Sequence, residues 1–327
     1  MTTQKRILVC GAGGFLGKNI FDALSKRDDF EVFGTWLTNR YRRITPGKKL
    51  FRTDLTKKNE VDWLFEGYKF DVVIQTAANS SSSKDDVERP EIHVTPNVAI
   101  NNYLIAAAHE YGIKQFIFPS CTIMYPSQDQ PSSENDVDLN KEFSPVQYGA
   151  AWMKVFSEKL CEFFSRLGKT KFTVIRPSNI YGPLDRFDPD RSHVFAATIR
   201  KVAEAKKGGE IVVWGQGKEV RDFFHVSDFV RFVELVIDNQ DYNFDTFNLG
   251  SEEPVSIDEL VKRVIRISGK NLEIEYDPNG PTVGNKISIN CSKARNKFGW
   301  KTSMNMDEGI RSTLEWYGQN KKEVRHD

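Results

Sequence analysis

Residues 5–17 read Lys5-Arg6-Ile7-Leu8-Val9-Cys10-Gly11-Ala12-Gly13-Gly14-Phe15-Leu16-Gly17, and this stretch decides the fold. The run Ile7 to Cys10 has the length and composition of a strand buried on both faces. Glycines 11, 14 and 17 follow at once, and Leu16 opens a stretch of helical spacing. Strand, glycine turn and helix in that order make a seat for a pyrophosphate. Gly11 permits the tight turn, Gly14 the approach of backbone to the anion, and Gly17 the close packing of helix on strand. The helix N-terminus, at Phe15 and Leu16, offers unpaired N–H groups to the negative charge. The turn is expected to bind a dinucleotide.

Working outward, short apolar runs alternate with amphipathic stretches. Strands are expected at 7–10, 31–35, 71–76, 116–119 and 172–176, and helices at 16–27, 56–66, 94–111 and 148–167. That rhythm means right-handed βαβ units on a parallel sheet. After Arg176 the pattern loosens around Pro177, Gly182, Pro183 and Pro189. A helix at 194–205, a strand at 211–214, and helices at 256–268 and 306–317 then read as a smaller lobe. A helix at 227–238 and a strand at 247–249 read as a return to the first. The expected fold is α/β: a Rossmann-type doubly wound parallel sheet with a smaller mixed α/β C-terminal substrate lobe. The first domain spans residues 1–178 with a returning segment at about 221–250; the lobe takes 179–220 and 251–320. Open α/β sheets bind ligands beyond the carboxyl ends of their strands, so the chemistry belongs between the two.

Lys and Arg number 46 against 45 Asp and Glu, a net charge of +1. This balance argues against nucleic acid or a membrane surface as partner. Cys10, Cys121, Cys161 and Cys291 are widely spaced, with no metal-ligand pattern, and read as free thiols in a reducing compartment. No signal-type apolar region precedes the first strand and no apolar run approaches a membrane span. A soluble, cytoplasmic protein is expected.

An NAD site usually ends its second strand with a carboxylate on the ribose 2′-hydroxyl. Here Thr35-Trp36-Leu37 stand there, followed by Arg40, Arg42 and Arg43. With no acid to repel a 2′-phosphate and basic groups near, NADP(H) is favoured and NAD(H) stays open. Asp54-Leu55 would meet the adenine, and Ala77-Ala78 would underlie the pyrophosphate and ribose.

Taken in order, Gly11 to Gly17, Asp54-Leu55, Ala77-Ala78, Asn97, Arg176-Pro177-Ser178-Asn179-Ile180-Tyr181-Gly182-Pro183, Arg221 to Asp228 and Asn248-Leu249-Gly250 resemble the signatures of the extended short-chain dehydrogenase/reductase family. Within it, the stretch from Asn179 to Val194, Trp214-Gly215-Gln216-Gly217, Arg221 and Lys159-Leu160-Cys161-Glu162 are similar to the GDP-fucose synthase-like reductases. The resemblance implies an NADPH-dependent enzyme acting on a 4-keto, 6-deoxy sugar linked to a nucleotide, with GDP favoured. It also implies cofactor contacts at Trp36, Pro177 and Ile180, substrate contacts at Asn179, His193, Lys201, Trp214 and Arg221, and a homodimer formed through the helices at 94–111 and 148–167.

In this family a tyrosine donates the proton, a lysine four residues later binds the nicotinamide ribose, and a Ser or Thr orients the carbonyl. Lys154 takes the lysine position, yet Ala150 stands four residues before it, and the nearest tyrosine is Tyr148. Six residues at about 100° each put Tyr148 roughly 240° from Lys154 on a regular helix. Tyr148 is nonetheless the expected proton donor, brought round by a bulge or a late helix start. The Ser/Thr position falls on Cys121; a thiol donates poorly, so Thr122 beside it is expected to orient the carbonyl, with Ser120 as the alternative. The family's epimerising cysteine aligns with Ile123, although its acid partner matches His193, and Cys121 would replace it only after a loop shift. No acidic pair follows Thr122, so dehydration is disfavoured. Reduction is the leading expectation. A redox-neutral 4-epimerase or sugar dehydrogenase is the alternative, and a non-catalytic dinucleotide sensor a third.

Overall fold

The strand read at the chain start is β1 (Lys5–Cys10), and its side chains serve both faces of a sheet: Ile7 and Val9 enter one core, Leu8 and Cys10 the other. The computed structural model describes residues 4–38, 49–79, 89, 91–128, 130–189, 191–280 and 287–324. Around β1 the chain lays β2 (Phe30–Trp36), β3 (Leu50–Arg52), β4 (Val72–Gln75), β5 (Gln115–Pro119) and β6 (Lys171–Pro177). With β11 (Phe244–Leu249) they form a seven-stranded sheet of order β11-β6-β5-β4-β1-β2-β3, and every pairing in it is parallel.

One face is covered by α1 (Phe15–Leu24), α6 (Val226–Asn239) and α8 (Ser292–Phe298); the other by α2 (Lys58–Gly67), α3 (Glu91–Glu110) and α4 (Tyr148–Arg166). This is the doubly wound arrangement expected from the alternating runs. The order reverses between β1 and β4, so the crevice for a ligand opens beyond their carboxyl ends.

A third core gathers α5 (Val194–Glu204), β8 (Glu210–Trp214), α7 (Ile257–Ser268) and α9 (Met306–Val324), with β13 (Glu273–Asp277) paired in parallel to β8. Helix α7 starts on a Ser256 side chain that accepts from Glu259 N and stops on Gly269 in the left-handed region, the ends its sequence requires. Short strands β7 (Asn179–Tyr181) and β10 (Phe223–His225) run parallel beside the main sheet. Strands β9 (Val220–Arg221) and β12 (Val255–Ser256) pair antiparallel.

The return of the chain after β10 is pinned by Asp228. Its wholly buried carboxylate accepts from Ser303 N and Oγ, Met304 N and Arg231, while its carbonyl accepts from the Trp300 indole at 3.0 Å. His225 caps the same helix through Nδ1, which takes the Ser227 N–H. Both residues are structural. Among the described residues, no helix is long and apolar enough to cross a membrane.

Candidate active site

At the end of β1, Gly11 takes φ +79°, and a Cβ there would lie 2.7 Å from Ala77 Cα. A Cβ on Gly17 would collide with the Gly11 carbonyl and come within 2.6 Å of Thr76 Oγ1. Side chains are excluded at both positions for the reasons a phosphate-binding turn demands. Thr35 holds the turn from β2, its Oγ1 accepting Gly11 N at 3.2 Å and its carbonyl accepting Ala12 N at 2.7 Å. Helix α1 opens at Phe15 with no side-chain cap from Gly14, so the N–H groups of Phe15, Leu16 and Gly17 begin a helix end suited to an anion. Two buried polar atoms stand near the ends of β2 and β3 with no partner among the described residues: Trp36 Nε1 and Thr53 Oγ1. Cradle and orphaned donors fit a dinucleotide.

The neighbouring contacts are braced. The Asp54 carboxylate accepts from the Thr56 hydroxyl at 2.6 Å and from Thr56 N, which holds its pKa below the usual range; Leu55 beside it is buried. Gln75 clasps Ala77 through both amide atoms and also bonds Asn101, while Asn97 bonds the backbone of Asn79. Ala77 and Ala78 are thereby held beside the glycine turn. Arg40, Arg42 and Arg43 lie outside the described residues.

Helix α4 brings Lys154 to this crevice. Lys154 is partly buried, and its ammonium donates to the Pro119 carbonyl at the end of β5 (2.9 Å) over the Phe118 ring. Desolvation pulls its pKa below the usual lysine range, against the opposing influence of Cys121 and Glu158. Cys121 and Thr122 follow β5 on the loop that leaves Ser120 and are partly buried. Burial pushes the Cys121 thiol up, with Lys154 acting against it. Cys121 and Lys154 are therefore neighbours at the end of β5, and Thr122 follows on the same loop.

Tyr148 is not brought to them. Helix α4 is α-helical from Tyr148 to Arg166, so the bulge or late start that would swing the tyrosine round is absent. Tyr148 is 52 % exposed and packs edge-on against Trp152. Successive turns place Tyr148, Trp152, Phe156 and Phe163 on one arc of about 80°, all exposed, opposite the face that carries Lys154.

At the border of the main sheet and the smaller lobe, Asn179 and Ile180 lie in β7 just beyond Pro177, Ile180 packs against the large core, and Asn179 Nδ2 donates to the Asp222 carbonyl at 2.9 Å. His193 is the exposed residue that precedes α5. Lys201 donates to the Val212 carbonyl (2.7 Å) and lies over the Trp214 ring, which is 49 % exposed. Arg221 sits in β9, with Nη1 on the Val220 carbonyl.

A buried network behind the site escapes sequence reading. Arg176 grips Glu158 with two bonds (3.1 and 2.6 Å) and reaches Tyr125 Oη and the Glu134 carbonyl. Tyr125 donates to Asn248 Oδ1 at 2.6 Å, and Asn248 donates to the Ser132 carbonyl. Helix α4, the loop after β5, and strands β6 and β11 are thus locked together around one charge. The available signal was Glu158, one helical turn after Lys154 and on the same face.

The NAD dependent epimerase/dehydratase family model matches residues 7–250. The chain is 28 % identical over 315 residues to GDP-L-colitose synthase of Yersinia pseudotuberculosis, covering 95 % of this chain and 97 % of that protein. It is 25 % identical to GDP-L-fucose synthase of Escherichia coli K12, covering 99 % of each. Among solved structures, UDP-glucose 4-epimerase of Thermotoga maritima with UDP-glucose superposes with a TM-score of 0.84 at 26 % identity, over 96 % of this chain and 99 % of that one. With the glycine cradle at the head of a seven-stranded parallel sheet, the matched span of 244 residues (250 − 7 + 1) makes this chain an enzyme of the NAD dependent epimerase/dehydratase family.

Proposed function

We propose that the protein reduces the C4 ketone of a 6-deoxy sugar linked to a nucleotide, with GDP as the favoured nucleotide and NADP(H) as cofactor. The observation that carries this reading is a glycine cradle at the end of β1 with Lys154 bonded to the end of β5, two strands away on the same edge of the sheet. Full-length similarity to GDP-L-colitose and GDP-L-fucose synthases supports the substrate class. The absence of a carboxylate at Thr35-Trp36 supports the phosphorylated cofactor.

A bound nicotinamide supplies hydride. The backbone at Gly11, Gly14 and Gly17 would hold its diphosphate, Asp54, Leu55, Ala77 and Ala78 would flank the adenosine half, and Lys154 would hold the nicotinamide ribose. Thr122 orients the ketone oxygen. In the lobe, Trp214 offers a ring for a base and Arg221 and Lys201 offer charge for a diphosphate, with Asn179 and His193 at the sugar. A homodimer packed through α3 and α4 is part of the same proposal, supported by the exposed aromatic arc on α4.

The test is NADPH oxidation at 340 nm with GDP-, dTDP- and UDP-linked 4-keto-6-deoxy sugars. Stoichiometric loss of absorbance with GDP preferred is expected; no uptake of either nicotinamide coenzyme would overturn the reading. The match to a UDP-glucose 4-epimerase favours one second reading, redox-neutral epimerisation, which would interconvert substrates with no net absorbance change.

A further inference from the structure

Reduction of a ketone needs a proton at the oxygen, and α4 carries no tyrosine on its inner face. Ala150 stands one turn before Lys154, and Tyr148 belongs to the exposed arc with Trp152, Phe156 and Phe163. An ammonium has three N–H bonds to give. Lys154 spends one on Pro119 O, and no described residue accepts the other two. The groups around it come from two elements. From β5 and its loop these are the Phe118 ring, the Pro119 carbonyl and Cys121; from its own helix it is Glu158, whose carboxylate is taken by Arg176. The Ser120 hydroxyl, one residue beyond Pro119, is buried without a partner among the described residues. A cation with unspent donors thus sits at the strand ends where the carbonyl must lie.

We propose that the Lys154 ammonium is the proton donor of the reduction; this rests on the reductase reading above. The carbonyl carbon receives a hydride with its electron pair from a nicotinamide-class reductant, which is oxidised. The π pair moves onto oxygen, and that oxygen takes a proton from Nζ as one N–H bond breaks. The neutral amine left behind regains its proton from water. Of the three N–H bonds, one stays on Pro119, one serves the ribose and one the ketone.

Lys154→Arg separates holding from donating, because a guanidinium keeps charge and donors yet does not give up a proton in proteins. NADPH affinity, read by titration calorimetry, is expected to stay within about 3-fold while turnover at saturating NADPH falls by roughly 10²–10⁴-fold. Adding Ala150→Tyr to that variant puts a phenol one turn ahead, and at least about tenfold of the turnover should return. Turnover retained by Lys154→Arg at intact affinity would overturn the proposal. So would its loss in Tyr148→Phe at intact affinity.

Should arginine not fit, the unaltered chain decides. With ¹³Cε-lysine label, the resonance absent from Lys154→Met should titrate below the ordinary lysine range, and the single-turnover rate should fall along the same curve. A rate flat across that titration overturns the assignment. Failure of the unaltered chain to bind NADPH or to reduce any 4-keto nucleotide sugar overturns the reductase reading itself.

Discussion

The Glu158–Arg176 pair is the place where one atom change should cost most. Its side chains are 7 % and 9 % exposed, and the guanidinium donates two bonds to one carboxylate, one to Tyr125 Oη and one to the Glu134 carbonyl. Glu158→Gln keeps shape and removes the charge, leaving Arg176 as an unbalanced cation in the interior. Removing one partner of a buried pair costs about 3–5 kcal/mol, and the retained amide contact places this variant near about 3. Unfolding entropy of about 2 cal/mol/K per residue over 327 residues gives roughly 0.7 kcal/mol/K. The expected fall in Tm is therefore about 4 °C by calorimetry. Replacing both partners, Glu158→Leu with Arg176→Met, removes the stranded charge and should restore most of the loss. A single variant that falls by less than about 1 °C, or a double variant no better than the single, would refute this account of the network.

Gly17→Ala forces a methyl onto the Gly11 carbonyl and should cost about 1–3 kcal/mol in denaturant melts, with nicotinamide affinity at least tenfold weaker, about 1.4 kcal/mol. Burial pushes His225 down to about 4 from an ordinary 6.5, against a smaller pull from Asp228. The unfolded chain therefore binds this proton first as pH falls, and stability present above about 6.5 is lost towards 4, by roughly 3 kcal/mol in all. His225→Asn should flatten that limb in urea titrations run from pH 7 to 4. Phe156→Glu sets a charge in the exposed arc of α4, and light scattering should find the proposed dimer reduced to a monomer, with the far-ultraviolet dichroism unchanged.

The parallel sheet was legible because its central strands β1, β4 and β5 carry unbroken apolar runs and its first turn permits few residue types. Ile7 to Cys10 reads as a two-sided core strand whatever packs on it, and Gly11 and Gly17 are set by collisions a few atoms away. The short strands Val220–Arg221, Val255–Ser256 and Glu273–Asp277 were not legible. Two residues show no period, and pairing with distant chain makes Val220–Arg221 and Val255–Ser256 strands; Glu273–Asp277 does alternate polar and apolar, a period-2 signal too short to stand alone. Cofactor contacts followed from local geometry. The side chain that orients a ketone and the one that protonates it did not, because loop shape after Pro119 and the phase of α4 decide them. The phase of α4 was nonetheless computable: six residues separate Tyr148 from Lys154, and a regular helix keeps them on opposite sides.

Among the described residues, successive core side chains change between the large cores and the small one five times: between Pro177 and Tyr181, Phe223 and Phe224, Leu249 and Val255, Leu272 and Ile289, and Trp300 and Ile310. Two bodies sewn by so many threads have no single tether on which to swing. Neither is a contiguous piece of chain, so cutting the gene at any one point yields a fragment lacking part of its own interior. Melting should consequently run as one transition, and a molecule lodged in the seam should raise the whole of it. Variation in what the enzyme accepts is then confined to surfaces between the stitches, where side chains can change without unpicking them.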